Sequence, residues 1–253
     1  MEEKLQFFGE FVKTCDEHDQ YIGQGNPTSN ILIVGMEPAI GFGNPKEEIR
    51  GNIEWVKECM NTDIQKLYCM DLQRTTFKGN HTWKVYQKLI DFIKEGHSTY
   101  GPFLDFGKFA FATEMNNWTG KRKIITSTNM NTFKNVLAER RKLFKDSKFI
   151  QSFPVTILAC SNYIVNNDED RQIDNTFDVT YDTYGEHRTI SPKGKVYHFW
   201  THHSSDGKRL VVHTRQLSTD IPTIMIEKLA ETINAHLINI GNHITPNKSD
   251  LIQ

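Results

Sequence analysis

The chain has 253 residues, of which 38% are hydrophobic and 24% are charged, and its formal net charge at pH 7 is −1. That length is enough to bury a sizeable core in one domain, and that composition excludes a disordered or a fibrous chain. The charge excludes binding of nucleic acid through an overall positive charge, so any such binding must depend on a local basic patch.

The sequence shows no signal for export or for membrane insertion. The chain opens Met-Glu-Glu-Lys, unlike the basic start of a secretory signal, and its apolar runs are shorter than the roughly 18–20 residues that cross a bilayer. Its four cysteines, at positions 15, 59, 69 and 160, form no CxxC pair, which argues against a zinc or an iron–sulfur site. We therefore expect a cytoplasmic protein with reduced thiols and no contact with a membrane.

Apolar residues follow a helical and an extended pattern in alternation along the chain. Residues 4–15 carry them at helical spacing, which predicts a first helix, and the Gly/Asn/Pro/Ser segment 23–30 predicts a loop. Continuous apolar runs, typical of strands covered on both faces, occupy 31–34, 109–113, 155–159 and 210–213. Helical patterns separate these runs, at 83–93, 133–144 and 224–238. The alternation predicts an α/β fold with a doubly wound parallel sheet.

A further β-rich segment, 196–203, precedes the fourth run. The tight-turn sequence Ser-Asp-Gly at 205–207 follows it, which predicts a β-hairpin before the last core strand. Since no internal repeat and no Pro/Ser-rich linker interrupts the chain, we expect a single domain over 1–253. Within it we interpret the polar stretch 161–195 as an insertion or lid, and 241–253 as a loose tail.

Charge is unevenly distributed along the chain. Residues 121–148 hold nine Lys/Arg against two acidic residues, and residues 168–182 hold six acidic residues against one arginine. Such runs are most often solvated faces. Alternatively, the basic run follows the phosphates of a nucleic acid, in which case Arg140 and Arg141 contribute to binding.

Candidate functional residues follow from the predicted sheet, because ligands of open parallel sheets bind beyond the carboxyl ends of the strands. After the first run the sequence reads Gly-Met-Glu-Pro-Ala-Ile-Gly-Phe-Gly. Glu37 is held there on a short loop between Gly35, which permits a sharp turn, and Pro38, which stiffens the chain. It is placed to act as a base or an electrostatic stabiliser, or else it is solvated or caps the next helix. Neither the Rossmann nor the Walker phosphate-binding pattern is present.

The fourth run ends Val-His-Thr-Arg-Gln-Leu-Ser. A histidine at a strand end can donate a hydrogen bond to a developing anion. A single histidine is more often structural. The presence of Glu37 at another strand end favours a functional role for His213.

These segments together resemble the uracil-DNA glycosylase superfamily. The turn at 35–38 is similar to the family's Gly-x-Asp/Asn-Pro motif, and its continuation through Gly-Phe-Gly at 41–43 is similar to the single-strand-selective monofunctional branch. Residues 213–218 resemble the family's His-Pro-Ser-Pro-Leu-Ser, with His, Leu and Ser in place. Residues 111–115 resemble the strand end that carries the base-reading Asn. The three segments occur in the family's order and together span about the whole chain.

The resemblance implies a three-layer α/β/α fold with a four-stranded parallel central sheet. It implies a monofunctional DNA glycosylase that removes uracil or a related damaged or deaminated base after flipping it out of the stack. Glu37 is implied to stabilise oxocarbenium character and orient water, and His213 to hydrogen-bond the departing base. The implied substrate-binding residues are Gly35, Met36, Pro38, Gly41, Phe42, Gly43, Glu114, Asn117, Arg215 and Gln216. The implied partner is single- or double-stranded DNA, bound by a monomer without cofactor or metal.

The sequence departs from the family at three places. Glu37 stands where the family has Asp or Asn, and its extra methylene moves the carboxylate by about 1 Å, which can cost on the order of 10²-fold in rate. Glu114 stands where Asn reads uracil, and an ionised Glu only accepts, so it suits a base edge with an exocyclic amine. Asn116 or Asn117 takes this role if the alignment shifts. The histidine segment lacks both family prolines.

These departures leave a second hypothesis open, a nucleic-acid or nucleotide-binding module on the same fold without catalysis. An unrelated α/β hydrolytic or nucleotide-binding enzyme is a third. Two other groups rank lower. His198 and His202 share one strand face but lack the further ligands of a metal site, and Cys160 has no obvious base nearby to make it a nucleophile. Trp118 is either a stacking platform or a core residue.

Overall fold

A computed structural model describes residues 2–36, 38, 45–68, 72–73, 81–98, 103–117, 130–218 and 220–242. In this part of the chain the α-helices are α1 (Glu2–Glu17), α2 (Pro45–Thr62), α3 (His81–Glu95), α4 (Met130–Asp146), α5 (Lys148–Gln151), α6 (Gln172–Phe177) and α7 (Thr223–Asn239). The strands are β1 (Gln24–Gly25), β2 (Ile31–Gly35), β3 (Leu72–Gln73), β4 (Phe103–Leu104), β5 (Ala110–Glu114), β6 (Val155–Leu158), β7 (Thr180–Ile190), β8 (Val196–His203) and β9 (Leu210–Thr214). The predicted tail lies outside the described residues beyond Asn242.

Seven of these strands form one mixed sheet, in the order β1-β5-β2-β6-β9-β8-β7. Neighbours among β5, β2, β6 and β9 pair in parallel. β1 pairs antiparallel with β5, β8 with β9, and β7 with β8. The α/β class is therefore confirmed, whereas a four-stranded, all-parallel sheet is not, because three antiparallel strands extend the sheet at its two edges.

The central strand β2 shows why the apolar runs are continuous. Its residues from Ile31 to Val34 are all 0% exposed. Side chains alternate between the two faces of a strand. Ile31 and Ile33 join a core cluster with residues of α3 and α7, and Leu32 and Val34 join a second cluster with residues of α1, α2 and α4. A strand that is buried on both faces has no place for a polar residue, so its sequence does not alternate.

β7 is the largest departure from the sequence interpretation, whereas β8 agrees with it. β8 and β9 form the expected hairpin around the Ser-Asp-Gly turn. The stretch 161–195, interpreted as an insertion or lid, contains α6 and the 11-residue strand β7. β7 pairs with β8, so this part of the stretch belongs to the main sheet.

The segment 23–30, predicted as a loop, contributes the edge strand β1. Gly23 and Gly25 have φ of +118° and +109°, and a Cβ on either would collide with a carbonyl oxygen of β5. Only glycine tolerates both this conformation and this close approach. The glycines that signal a loop in the sequence are thus the residues that permit pairing with β5.

No helix of the described ranges is both long and apolar enough to span a membrane.

Candidate functional site

Two cavities open near the carboxyl ends of the parallel strands. The first, which we call the Glu114 cavity, has a volume of about 520 Å³ and is walled by Tyr21, Pro38, Trp55, Trp83, Tyr86 and Glu114. The second, the His213 cavity, has a volume of about 810 Å³ and is lined by residues including Asn166, Arg171, His198, Trp200, His213 and Arg215. Both volumes lie in the range of about 300–1,000 Å³ that is usual for small-molecule sites.

Gly35 and Glu114 fit together at the ends of β2 and β5. The two residues are register partners in the parallel pair. A Cβ on Gly35 would collide with the Glu114 carboxylate oxygen Oε2. Gly35 is the last residue of β2 rather than part of a left-handed turn, so its value is the space that it leaves for the Glu114 carboxylate. The predicted sharp turn between Gly35 and Glu37 stays a prediction, because Glu37 lies outside the described residues.

A buried arginine holds the backbone beneath the Glu114 cavity. Arg140 of α4 is 0% exposed. Its Nε donates to the Glu114 carbonyl oxygen at 3.0 Å, and its Nη2 donates to the Tyr21 carbonyl oxygen at 2.6 Å. Burial lowers the pKa of Arg140 from its ordinary value. Because this guanidinium is enclosed, it cannot contact phosphates, and the interpretation of Arg140 as a nucleic-acid contact is wrong.

Asn117 and Asn52 fix the loop that carries Tyr21. The Asn117 side chain accepts from the Tyr21 backbone N–H at 2.8 Å and donates to the Asp19 carbonyl at 2.8 Å. Asn52 accepts from the Ile22 backbone N–H at 2.9 Å. Both ends of the Asn117 amide are thus used within the protein. In this structure Asn117 positions a wall of the cavity instead of presenting its amide to a base.

The Glu114 cavity is aromatic and acidic. Four of its wall residues carry aromatic rings. Burial is the larger cause, and the nearby Glu114 charge the next, that raises the pKa of Tyr86 well above its ordinary value. Its described lining residues include three carboxylates, from Glu47, Glu48 and Glu114, and neither a lysine nor an arginine. A cavity of this kind favours a flat ligand that carries hydrogen-bond donors or a positive charge, and it disfavours a phosphate.

The first predicted motif is only partly described. Pro38 is buried and lies in the wall of the Glu114 cavity. Met36 is 4% exposed and its side chain packs in the core, so its place in substrate binding stays a prediction. Glu37, Gly41, Phe42 and Gly43 lie outside the described residues.

His213 stands at the end of β9 with one ring nitrogen engaged. Its Nε2 lies 2.7 Å from the Ser161 carbonyl oxygen, which can only accept, so Nε2 carries the proton. Burial lowers the pKa of His213, and the neutral ring then offers Nδ1 as an acceptor. Ser161 itself has φ of +53°, an uncommon conformation for a serine. To donate to a departing base, as the resemblance implies, His213 would have to release Ser161.

Glu114 and His213 lie on opposite faces of the sheet. Side chains two residues apart on a strand lie on the same face. Glu114 comes two residues after Ala112, which packs in the cluster with α3 and α7. His213 comes two residues after Val211, which packs in the other cluster. β2 and β6 lie between their strands, which corresponds to a separation of about 14 Å at the usual strand spacing. Among the described residues the two cavities share no lining residue. The structure therefore does not bring these two predicted site residues together.

The other predicted positions divide between cavity, surface and core. Arg215 lines the His213 cavity, and its guanidinium lies 5.5 Å from the centre of the Tyr197 ring. Gln216 is exposed on the surface beside it. Cys160 is 0% exposed, and burial raises the pKa of its thiol, which disfavours the thiolate. Trp118 lies outside the described residues. No group of three or more His, Cys, Asp or Glu suited to a metal ion occurs in the described ranges.

The aromatic walls of both cavities are not predicted by the sequence patterns. They come from the loop before β1, from α2 and α3, and from β7 and β8, and the residues concerned are Tyr21, Trp55, Trp83, Tyr86, Tyr181, Tyr197 and Trp200. An aromatic residue on an amphipathic helix usually packs in the core, so its sequence position alone does not indicate a ligand site.

Comparison with protein-family models gives no match to the chain, and comparison with curated proteins gives none either. A function for the chain therefore has to be inferred from the geometry of the two cavities.

Proposed function

We propose that the Glu114 cavity receives a nucleobase turned out of DNA, and that the chain is a DNA glycosylase-like hydrolase acting on the N-glycosidic bond of that base. The observation that supports this proposal is the carboxylate of Glu114 within a cavity walled by four aromatic side chains. Aromatic rings stack on the faces of bases, a contact worth about 1–3 kcal/mol per base. The carboxylate adds a hydrogen-bond acceptor for the base edge.

The acidic lining defines the class of base. An ionised Glu114 accepts from exocyclic amines and ring N–H groups, and it repels a carbonyl oxygen such as O4 of uracil. Together with Glu47 and Glu48 it also favours a base made cationic by alkylation. We therefore expect an amine-bearing or alkylated base inside the cavity, with the phosphodiester backbone outside.

The proposed reaction is a hydrolysis. Water adds to the sugar C1′, the bond from C1′ to the base nitrogen breaks, and the electron pair of that bond leaves with the base. Glu37 directly follows Met36 at the end of β2, and its carboxylate is proposed to stabilise the positive charge that develops on the sugar and to take a proton from the water. His213 lies on the opposite face of the sheet from Glu114, so no step of this reaction is assigned to it.

A second candidate function is supported by the same histidine. The proton of the neutral His213 ring is already donated to Ser161, and the ring lies on the opposite sheet face from Glu114. These features favour a module that binds a base without cleaving its bond. The two candidates make opposite predictions for turnover and the same prediction for binding.

The experiment is a base-release assay on labelled single- and double-stranded oligonucleotides that carry uracil, hypoxanthine, xanthine or an alkylated purine. Wild type is compared with Glu37→Gln, Glu114→Gln and Gly35→Ala, with exposed Glu139→Gln as the matched control. We expect E37Q to bind DNA without releasing base. Because Gln offers a donor, E114Q should shift preference toward carbonyl-bearing bases by about 1–3 kcal/mol. G35A should weaken release by displacing the Glu114 carboxylate.

Each outcome decides between the candidates. Base release by wild type and by E139Q, lost in E37Q, supports the glycosylase. Binding that depends on Glu114, with no release from any oligonucleotide, supports the binding module. If wild type neither releases nor binds any of these bases, both candidates fail.

A further inference from the structure

We propose that the His213 cavity is a separate nucleotide site, in which a base stacks on Trp200 and the attached phosphate lies between Arg171 and Arg215. This inference goes beyond the proposed function, because it concerns a cavity on the other face of the sheet with its own lining residues. It stands on the ring geometry, the charge and one unsatisfied donor of that cavity.

Three rings form the floor of the His213 cavity. Trp200 and His213 are direct partners across the β8–β9 pair, and their ring centres lie 5.6 Å apart with an angle of 32° between the planes. His198, two residues before Trp200 on the same face, lies 5.8 Å from it and is nearly parallel, at 11°. Trp200 is only half-buried. The half-buried Trp200 indole, flanked by these two rings, is therefore an aromatic group of the kind on which bases stack.

The outer rings of this floor are fixed from outside. His198 Nδ1 lies 2.7 Å from the Glu186 carboxylate on β7, and His213 Nε2 donates to Ser161 at 2.7 Å. Two anchored rings on either side of Trp200 restrict its movement. A rigid stacking surface loses little conformational entropy when a ligand binds.

The charge of this cavity is opposite to that of the Glu114 cavity. Its described lining holds the arginines Arg171 and Arg215 against the single carboxylate of Asp168. Among the described residues, the ion pairs of Arg171 are long, 3.7 Å to Asp168 and 4.0 Å to Asp174, so its guanidinium remains able to bind a phosphate. Planar guanidinium groups bind phosphate oxygens through paired hydrogen bonds.

Asn166 adds an unsatisfied donor to the lining. Its Nδ2 is buried and has no hydrogen-bond partner among the described residues, while its Oδ1 accepts from the Asp174 backbone N–H at 3.3 Å. A buried donor without a partner destabilises the cavity when no ligand is bound. A carbonyl or phosphate oxygen of a ligand in the cavity would satisfy it.

The same chemistry occurs in a free mononucleotide and in one unit of a single strand. The full-length chain is therefore titrated with dAMP, with deoxyadenosine, with inorganic phosphate and with single-stranded dT12, and affinities are measured by calorimetry. The variants are Trp200→Leu, Trp200→Phe, and the double variant Arg171→Gln with Arg215→Gln. Tyr184→Leu, which removes an aromatic ring that is 93% exposed on β7, is the matched control. Thermal unfolding of each variant checks its fold.

We expect W200L to lose about tenfold or more in affinity, while W200F and Y184L retain it, because Phe still supplies a stacking face. The double arginine variant should weaken dAMP and dT12 but leave the binding of deoxyadenosine unchanged, and it should lessen the salt dependence of binding. Tight dAMP binding identifies a mononucleotide site, and binding of dT12 alone identifies a path for single-stranded nucleic acid.

Equal affinities of folded W200L and wild type would overturn the proposal, as would the absence of binding by dAMP and dT12 together. If W200L does not fold, W200F and the double arginine variant test the proposal in its place. A double arginine variant that binds dAMP as tightly as wild type would then overturn it. The base-release assay tests Glu37 and Glu114, whereas this titration tests Trp200, Arg171 and Arg215. Failure of the proposed function and failure of the proposed nucleotide site are therefore distinguished.

Discussion

Arg140 shows how one residue can mislead in a run of like charges. It belongs to the basic run 121–148, but it also follows Phe133 and Leu137 at helical spacing, and all three are buried on one side of α4. Its guanidinium contacts the Phe144 ring at 4.6 Å and donates to carbonyls at the end of β5 and in the loop before β1. The helical period, and not the charge count, identifies which arginine faces inward.

Replacing Arg140 should therefore destabilise the fold, unlike replacing its neighbour. We expect Arg140→Met to lower the free energy of unfolding by about 2–6 kcal/mol, because the buried carbonyls of Glu114 and Tyr21 each lose their donor, at about 1–3 kcal/mol apiece. Arg141→Met, at a half-buried position, should change it by less than about 1 kcal/mol. Urea unfolding of the two variants is the measurement, and equal effects would contradict the role assigned to Arg140.

At the scale of elements, β1 depends on glycine for its existence. The φ of Gly25 is +109°, and its α-carbon lies so close to β5 that a Cβ would collide with the Ala110 carbonyl oxygen. A two-residue strand has little other stabilisation. Its pairing closes the β5 edge of the sheet beside the loop that carries Tyr21.

Two glycine replacements should accordingly change the free energy of unfolding in opposite directions. Gly25→Ala should lower the free energy of unfolding by about 2 kcal/mol or more, since Ala must adopt a left-handed conformation and push against backbone. Gly9→Ala, in the middle of α1 with Met60 Cε at 3.8 Å from the added methyl, should raise it by about 0.5–1 kcal/mol. Thermal unfolding measures both effects. A loss of stability in G9A would contradict the space for a methyl group between Gly9 and Met60.

The elements that sequence predicts well are those buried on both faces. The four apolar runs correspond to β2, β5, β6 and β9, and the predicted helices at 4–15, 83–93, 133–144 and 224–238 agree with α1, α3, α4 and α7 within a few residues. The sequence pattern does not predict β7, because this strand lies at the sheet edge, is largely exposed and shifts register between Tyr181 and Glu186, which interrupts the period of two.

The candidate site is predictable only where strand ends define it. The rule for parallel sheets selects Glu114 and His213 from the sequence alone, and both line cavities. The rule does not state the sheet face on which a side chain lies, and that face depends on register and on the residue at which the strand ends. The aromatic walls depend on tertiary packing between elements distant in sequence, which local patterns do not report.

At the scale of the whole molecule, buried histidines make stability depend on pH. Burial lowers the pKa of His187, His202, His213 and His236 below the ordinary value of 6.5. Below pH 6.5 the unfolded chain therefore binds more protons than the folded one, and protonation favours unfolding. Stability should be undiminished by these groups above pH 6.5 and should fall as pH drops from 6.5 through the lower folded-state pKa values.

Thermal unfolding at pH 7.5, 6.5 and 5.5 tests this expectation. Wild type should lose stability between the two lower pH values. The double variant His213→Gln with His236→Gln should show a smaller loss over the same interval, whatever its stability at pH 7.5, because fewer groups titrate. A variant with the same slope as wild type would exclude these two histidines as the source of the acid sensitivity.

The central place of β2 in the sheet has a consequence for the order in which the chain matures. β2 is made early, but its two neighbours are residues 110–114 and 155–158, and β6 in turn waits for β9 at 210–213. During synthesis at about 5–20 residues per second, its apolar edges stay open for many seconds. We expect this interval, more than the stability of the finished sheet, to determine how much of the newly made chain is captured by chaperones or lost to aggregation.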